Sequence, residues 1–117
     1  MKKIAKEMPL DLFAKELNAL NQPFYVWAIY NGAPGLDIES CINATKMELW
    51  TLPGNDLKQA SITFKDGTGN KIEISEGCES VKWDDNDTMQ CYCMECAHVA
   101  VMIYTPDNEP FETEIKE

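Results

Sequence analysis

The segment Ser61-Ile62-Thr63-Phe64-Lys65, the turn set Asp66-Gly67-Thr68-Gly69-Asn70 and the segment Lys71-Ile72-Glu73-Ile74-Ser75 constrain the chain more than any other stretch. Apolar and polar residues alternate on either side of two glycines. Ile62 and Phe64 therefore share a face with Ile72 and Ile74 once the chain folds back across the loop. An antiparallel hairpin is the expected result.

Other segments carry β-type patterns. Phe24-Tyr25-Val26-Trp27-Ala28-Ile29-Tyr30 is aromatic, β-branched or Ala throughout and ends at Asn31-Gly32-Ala33-Pro34-Gly35, so it reads as a strand buried on both sides. Lys46-Met47-Glu48-Leu49-Trp50-Thr51-Leu52 alternates and stops at the turn cluster Pro53-Gly54-Asn55-Asp56. A segment around Val81-Lys82-Trp83, the acidic turn Asp84-Asp85-Asn86-Asp87 and a run from Met89 to Tyr104 suggest another hairpin. Within that run Val99-Ala100-Val101-Met102-Ile103-Tyr104 is apolar on both faces, as a central strand is. Between residues 37 and 45 the periodicity fits either a short helix behind an Asp37 cap or an irregular connection. The one clear helical pattern is N-terminal, where Leu10, Phe13, Leu17 and Leu20 recur at helical spacing behind Pro9 and stop at Asn21 and Pro23.

One helix followed by strands joined mostly by hairpins implies an α+β fold, with the N-terminal helix packed on an antiparallel sheet of about five to six strands. The alternative is a small open β-barrel with the helix plugging one end. At 117 residues and 13.2 kDa the chain has the size of one domain. Residues 1–106 read as that domain. Residues 107–117 read as an acidic, flexible tail, unless Phe111 and Ile115 dock on the body or on a partner.

Twenty acidic residues against ten Lys, with no Arg, give a net charge of −10 and a pI near 4.4. That is a poor match to a phosphate backbone, so direct nucleic-acid binding is not expected. The excess is one-sided, because residues 1–72 balance eight acids with eight lysines while residues 73–117 set twelve acids against Lys82 and Lys116. Such asymmetry can build a one-sign surface field. Its plain reading is a solvated surface that keeps a small protein soluble. Its sharper reading is an acidic face that docks on a basic partner.

No apolar run approaches the roughly 18 to 20 residues of a membrane-spanning helix. The segment from Met1 to Pro9 has a basic start without an apolar core behind it, so no secretory signal is expected and the chain reads as cytoplasmic. Five cysteines, an odd number with three crowded together, read as reduced thiols.

Cys91, Cys93, Cys96 and His98 place three thiols and the only His within eight residues, a donor set chemically sufficient for tetrahedral zinc. On a straight strand Cys91 and Cys93 face one way and Cys96 and His98 the other. Convergence therefore requires a turn near Met94-Glu95, where no Gly or Pro supplies one. Cys78 or Cys41 can complete such a site, but the plainer reading is half-buried thiols on a core strand. A nucleophilic Cys96 paired with His98 needs an orienting third group. Asp84-Asp85-Asn86-Asp87 lacks the Gly and the distal Glu of a calcium loop. Gly67-Thr68-Gly69 leads into a strand and not a helix, which removes a phosphate cradle.

The expectation is a non-enzymatic, protein-binding domain whose acidic C-terminal half occupies a basic surface. Glu76, Glu79, Asp84, Asp85 and Asp87 would steer the encounter, with Trp83 and Phe111 as apolar anchors. A concrete form is a phage or mobile-element inhibitor that mimics nucleic acid and covers the nucleic-acid-binding surface of a basic partner protein. The alternative is a small zinc-binding structural or regulatory module using the cluster from Cys91 to His98.

Overall fold

Leu10, Phe13, Ala14 and Leu17 form the buried stripe of α1 (Leu10–Ala19), the helix expected from the periodicity. Pro9 leads into it with φ −59° and ψ 148°. Asn21 ends it in the left-handed region at φ 51°, with its amide donating to the Asn18 carbonyl. Leu20, which continued the apolar spacing, lies past the last turn and is exposed.

The computed structural model describes residues 2–33, 36–50, 60–85, 90–96 and 99–114. Around α1 lie the strands β1 (Lys2–Ile4), β2 (Glu7–Pro9), β3 (Phe24–Ala33), β4 (Leu36–Ala44), β5 (Lys46–Trp50) and β6 (Ala60–Lys65). They are followed by β7 (Lys71–Cys78), β8 (Ser80–Asp85), β9 (Gln90–Cys96), β10 (Val99–Tyr104) and β11 (Glu112–Glu114). The main sheet has six strands in the order β2-β8-β9-β10-β3-β4, every pair antiparallel. A second sheet runs β5-β6-β7, and β1 pairs with β11. The fold is α+β, one helix on an antiparallel sheet system, and among the described residues no sheet closes into a barrel.

The hairpin read first from the sequence is β6–β7, where Ile62 stands opposite Ile74 and Phe64 opposite Ile72, all four buried. Its loop is held by Asp66. One carboxylate oxygen accepts from the Thr68 amide at 2.8 Å, the Thr68 hydroxyl at 2.8 Å and the Asn70 amide at 3.2 Å. These bonds hold the Asp66 carboxyl below its ordinary pKa. Gly67 at φ 83° and Gly69 at φ 107° supply the turn geometry that side-chain-bearing residues resist.

The core lies between the main sheet and a layer made of α1 and the β5-β6-β7 sheet. From the main sheet come Val26, Ala28, Val81, Tyr92, Met94, Val101 and Ile103, and from the covering layer Phe13, Leu17, Met47, Ile62, Phe64 and Ile74. Phe24 meets Phe64 across the two layers with ring centroids 6.4 Å apart. Asn18 joins the helix to the second sheet. Its side-chain amide donates to the Met47 carbonyl at 2.8 Å, and its carbonyl accepts from the Met47 amide at 2.9 Å, the pairing a further strand would give the edge of β5. Asn18→Ala is expected to cost about 1 to 3 kcal/mol in denaturant unfolding, because two part-buried backbone groups lose their partners together. Amide exchange at Met47 should accelerate most.

One expectation changes, and two open readings are narrowed. Residues 37–45, undecided between helix and connection, run mostly as β4 and pair along β3 from Phe24 opposite Ala44 to Ala33 opposite Leu36. The run from Phe24 to Tyr30 is not buried on both sides. Phe24, Val26 and Ala28 enter the core, while Tyr25 on the other face remains 39% exposed and Tyr30, at the end of the run, 41% exposed. For residues 107–117, read as a flexible tail unless Phe111 and Ile115 dock, the docking alternative applies at Phe111. Phe111 packs on the body and Glu112–Glu114 pair with Lys2–Ile4. Ile115 lies outside the described residues, as do the turn from Pro53 to Asp56 and the pair Asn86 and Asp87.

Candidate interaction face

Side chains of a strand alternate between faces, so the core-facing residues fix which ones point away. On the main sheet the outward residues fall in three lateral rows. The middle row takes one residue from every strand: Glu7, Lys82, Cys93, Met102, Trp27 and Cys41. One flanking row carries Asp84, Cys91, Tyr104, Tyr25 and Asn43, and the other Glu95, Ala100, Ile29 and Glu39. Met102 and Cys91 are buried yet stand outside the core cluster, as expected for side chains enclosed by neighbours on this second face. The helix and the β5-β6-β7 sheet cover the opposite side.

The centre of the face is apolar and aromatic. Tyr25 and Tyr104 rings lie 5.7 Å apart, tilted against each other, with Trp27 and Ile29 half-buried beside them. The margin is charged, with Glu7, Glu39 and Glu95 exposed, Asp84 half-buried, and Lys82 the one cation among the described residues of these rows. In the second sheet, lysines meet acids locally, with Lys65 3.0 Å and Lys46 3.3 Å from Glu48 and Lys71 2.8 Å from Glu73. The Lys65 and Lys46 ammonium groups hold the Glu48 carboxyl below its ordinary pKa.

Sulfur chemistry sits on the same face. Cys91 Sγ and Cys93 Sγ are 3.5 Å apart. Their shared hydrogen bond, together with burial, pushes the Cys91 thiol far up, while the same bond pulls Cys93 down against its own burial. The Tyr104 hydroxyl also meets Cys91, though burial contributes most to its raised pKa. A hydrogen bond with Cys41 raises the Tyr25 hydroxyl.

The residues named from the sequence are placed differently from one another. Trp83 and Phe111, expected as exposed anchors, are half-buried against the core. Trp83 meets Tyr92 edge-on at 5.0 Å, and Phe111 stacks on Tyr92 at 5.7 Å and meets Phe13 at 5.8 Å. Their rings are occupied by intramolecular packing. Asp84 and Asp85 close one end of β8, Glu79 precedes the other end, and Glu76 lies on β7 in the second sheet. The side chains of Glu76 and Asp85, and all of Asp87, lie outside the described residues.

Of the proposed zinc ligands, Cys91 and Cys93 come together. β9 runs without a turn at Met94-Glu95 and pairs with β10 as far as Cys96 opposite Val99. The Cys96 side chain and His98 lie outside the described residues, among which no group of three His, Cys, Asp or Glu is gathered for a metal ion.

Sequence reasoning missed Tyr25, Trp27, Ile29 and Tyr104, with Met102 buried beside them, as residues of the outward face, since β3 and β10 are apolar at both parities. The available signal lay in their neighbours, because Glu39 and Asn43 on β4 and Glu95 on β9 mark the wetter parity. No helix among the described residues is long and apolar enough to cross a membrane. No protein-family model, no curated protein and no solved structure matches the chain.

Proposed function

We propose that the protein is a non-enzymatic binding domain that docks the outward face of its main sheet onto a basic protein surface. The observation that carries this reading is an aromatic centre of Tyr25, Trp27 and Tyr104 bounded by Glu7, Glu39, Asp84 and Glu95. Trp and Tyr are the residue types that concentrate binding energy when an interface excludes water. Carboxylates at the margin accelerate encounter with a positive partner and fix its orientation. A second copy of this chain is disfavoured as occupant, because both faces would bring the same negative margin within a net charge of −10. The partner chemistry is that of a surface that otherwise holds nucleic-acid phosphates, so the bound domain would act as an inhibitor in a reducing, cytoplasmic setting.

The test is affinity capture followed by binding kinetics at two ionic strengths. The Glu39→Lys, Asp84→Lys, Glu95→Lys triple variant should associate about tenfold slower at low salt and lose most of the salt dependence. Trp27→Ala should act on dissociation instead, weakening the complex by about thirtyfold, the size of a 2 kcal/mol anchor. Nucleic acid should compete for the partner. A complex indifferent to both variants and to salt would remove this reading.

A further inference from the structure

We infer that Cys91, Cys93 and Met102 form a three-sulfur site for a soft monovalent metal ion, with Cu(I) the species that fits its chemistry. Cys91 and Cys93 sit two apart on one strand and point to the same face, their sulfurs 3.5 Å apart. At metal–sulfur distances of about 2.3 Å, that gap subtends an angle of about 100° at an ion between them, which leaves room for a third sulfur.

Met102 stands directly opposite Cys93 across the β9–β10 pair, where cross-strand Cβ atoms lie about 4.5 to 5.5 Å apart. It is only 7% exposed and stands outside the core cluster, so its side chain lies among this face's residues. A thioether on three rotatable bonds can close the site from that position.

The surroundings favour this ion over zinc. Thiolate and thioether donors without imidazole or carboxylate select Cu(I), whereas structural zinc asks for four ligands of the Cys and His type. Among the described residues no group of three His, Cys, Asp or Glu is gathered for a metal ion, and Asp84, opposite Cys91 across β8–β9, acts on both thiols through its charge. Tyr104 bonds Cys91 through its hydroxyl and orients that sulfur, the role outer-shell groups play at metal sites. Lys82, opposite Cys93 on the other side, offsets part of the negative charge that the two thiolates add to that of Asp84 and Glu95, and the monovalent ion offsets more. Binding forms two thiolate–copper bonds and one thioether contact, and releases both thiol protons to solvent without any change of oxidation state. This inference is independent of the docking reading above, since it rests on the sulfurs of β9 and β10 and their immediate neighbours and requires no partner protein.

The test is anaerobic titration of the reduced full chain with Cu(I), using bicinchoninate as the competing chromophore, with circular dichroism as the folding control. The wild type should hold one Cu(I) per chain in an all-sulfur shell by X-ray absorption. Cys93→Ser, at a half-exposed position, should lose that ion. Met102→Leu and Tyr104→Phe, both close in volume to the originals, should each weaken retention about tenfold to a hundredfold. The Cys41→Ser, Cys78→Ser, Cys96→Ser triple variant should bind as the wild type does. Retention that survives Cys93→Ser, loss in the triple variant, a nitrogen-containing shell, or displacement of Cu(I) by equimolar Zn(II) would each overturn the assignment.

Discussion

Replacing Phe13 by Ala is expected to cost about 3 to 5 kcal/mol of folding stability, read as a fall in the urea midpoint with little change in slope. Phe13 has no exposed surface, and its ring meets Tyr92 at 4.9 Å and Phe111 at 5.8 Å. Truncation therefore removes the transfer free energy of a whole ring and leaves a cavity walled by two other rings. Neither wall can collapse freely, since Tyr92 is pinned by its hydroxyl and Phe111 by its backbone. Against a total stability of about 5 to 15 kcal/mol for a domain of this kind, that loss brings the fold near its limit. Phe13→Leu, which keeps most of the volume, should cost much less. Equal losses for the two variants would mean that cavity formation is not the cause.

Tyr92→Phe should cost about 1 to 3 kcal/mol although it removes a single atom. The Tyr92 hydroxyl donates to the Ala5 carbonyl at 3.0 Å and accepts from the Phe111 amide at 2.8 Å, so one oxygen fastens both terminal segments to the body. Without it, a buried carbonyl and a part-buried amide lose their partner at once. Exchange of the Phe111 amide and of the β1–β11 pair should accelerate, while the centre of the β3–β10 pair keeps its protection. Burial also raises the Tyr92 pKa. Because the native state holds the protonated phenol, this contribution is complete below the unfolded pKa near 10 and is lost as pH rises through the folded value. The phenylalanine variant should lack that alkaline loss, and an identical alkaline profile would contradict the assignment.

Local signals carried far in this chain where they were strong. The stripe of Leu10, Phe13 and Leu17 gave the helix its place, and two glycines between alternating segments gave β6–β7 its register. What stayed hidden was set by distant pairing. Residues 37–45 carry no period of their own that decides between elements, and they become a strand because β3 offers an edge from Phe24 to Ala33. Trp83 and Phe111 look like surface anchors, since acids or breakers flank both, yet Tyr92 draws them inward. A lone aromatic among polar residues does not reveal its face. The reverse holds for Trp27, in a run so apolar that its outward parity is invisible until Cys41 and Met102 stand beside it.

The strand order of the main sheet also governs how the chain can be made. β5, β6 and β7 pair with their immediate neighbours in sequence and can assemble as soon as they leave the ribosome. β3 has only β4 close by, and its other edge waits for β10, whose Tyr104 closes on Tyr25 only after β4 to β9 have been synthesised. At about 5 to 20 residues per second, that leaves an aromatic strand edge unpaired for several seconds on every nascent chain. Such an edge is a template for pairing with another copy. The demand on the cell's holding factors is therefore set by the interval between these two strands in translation, and crowded expression should be its first point of failure.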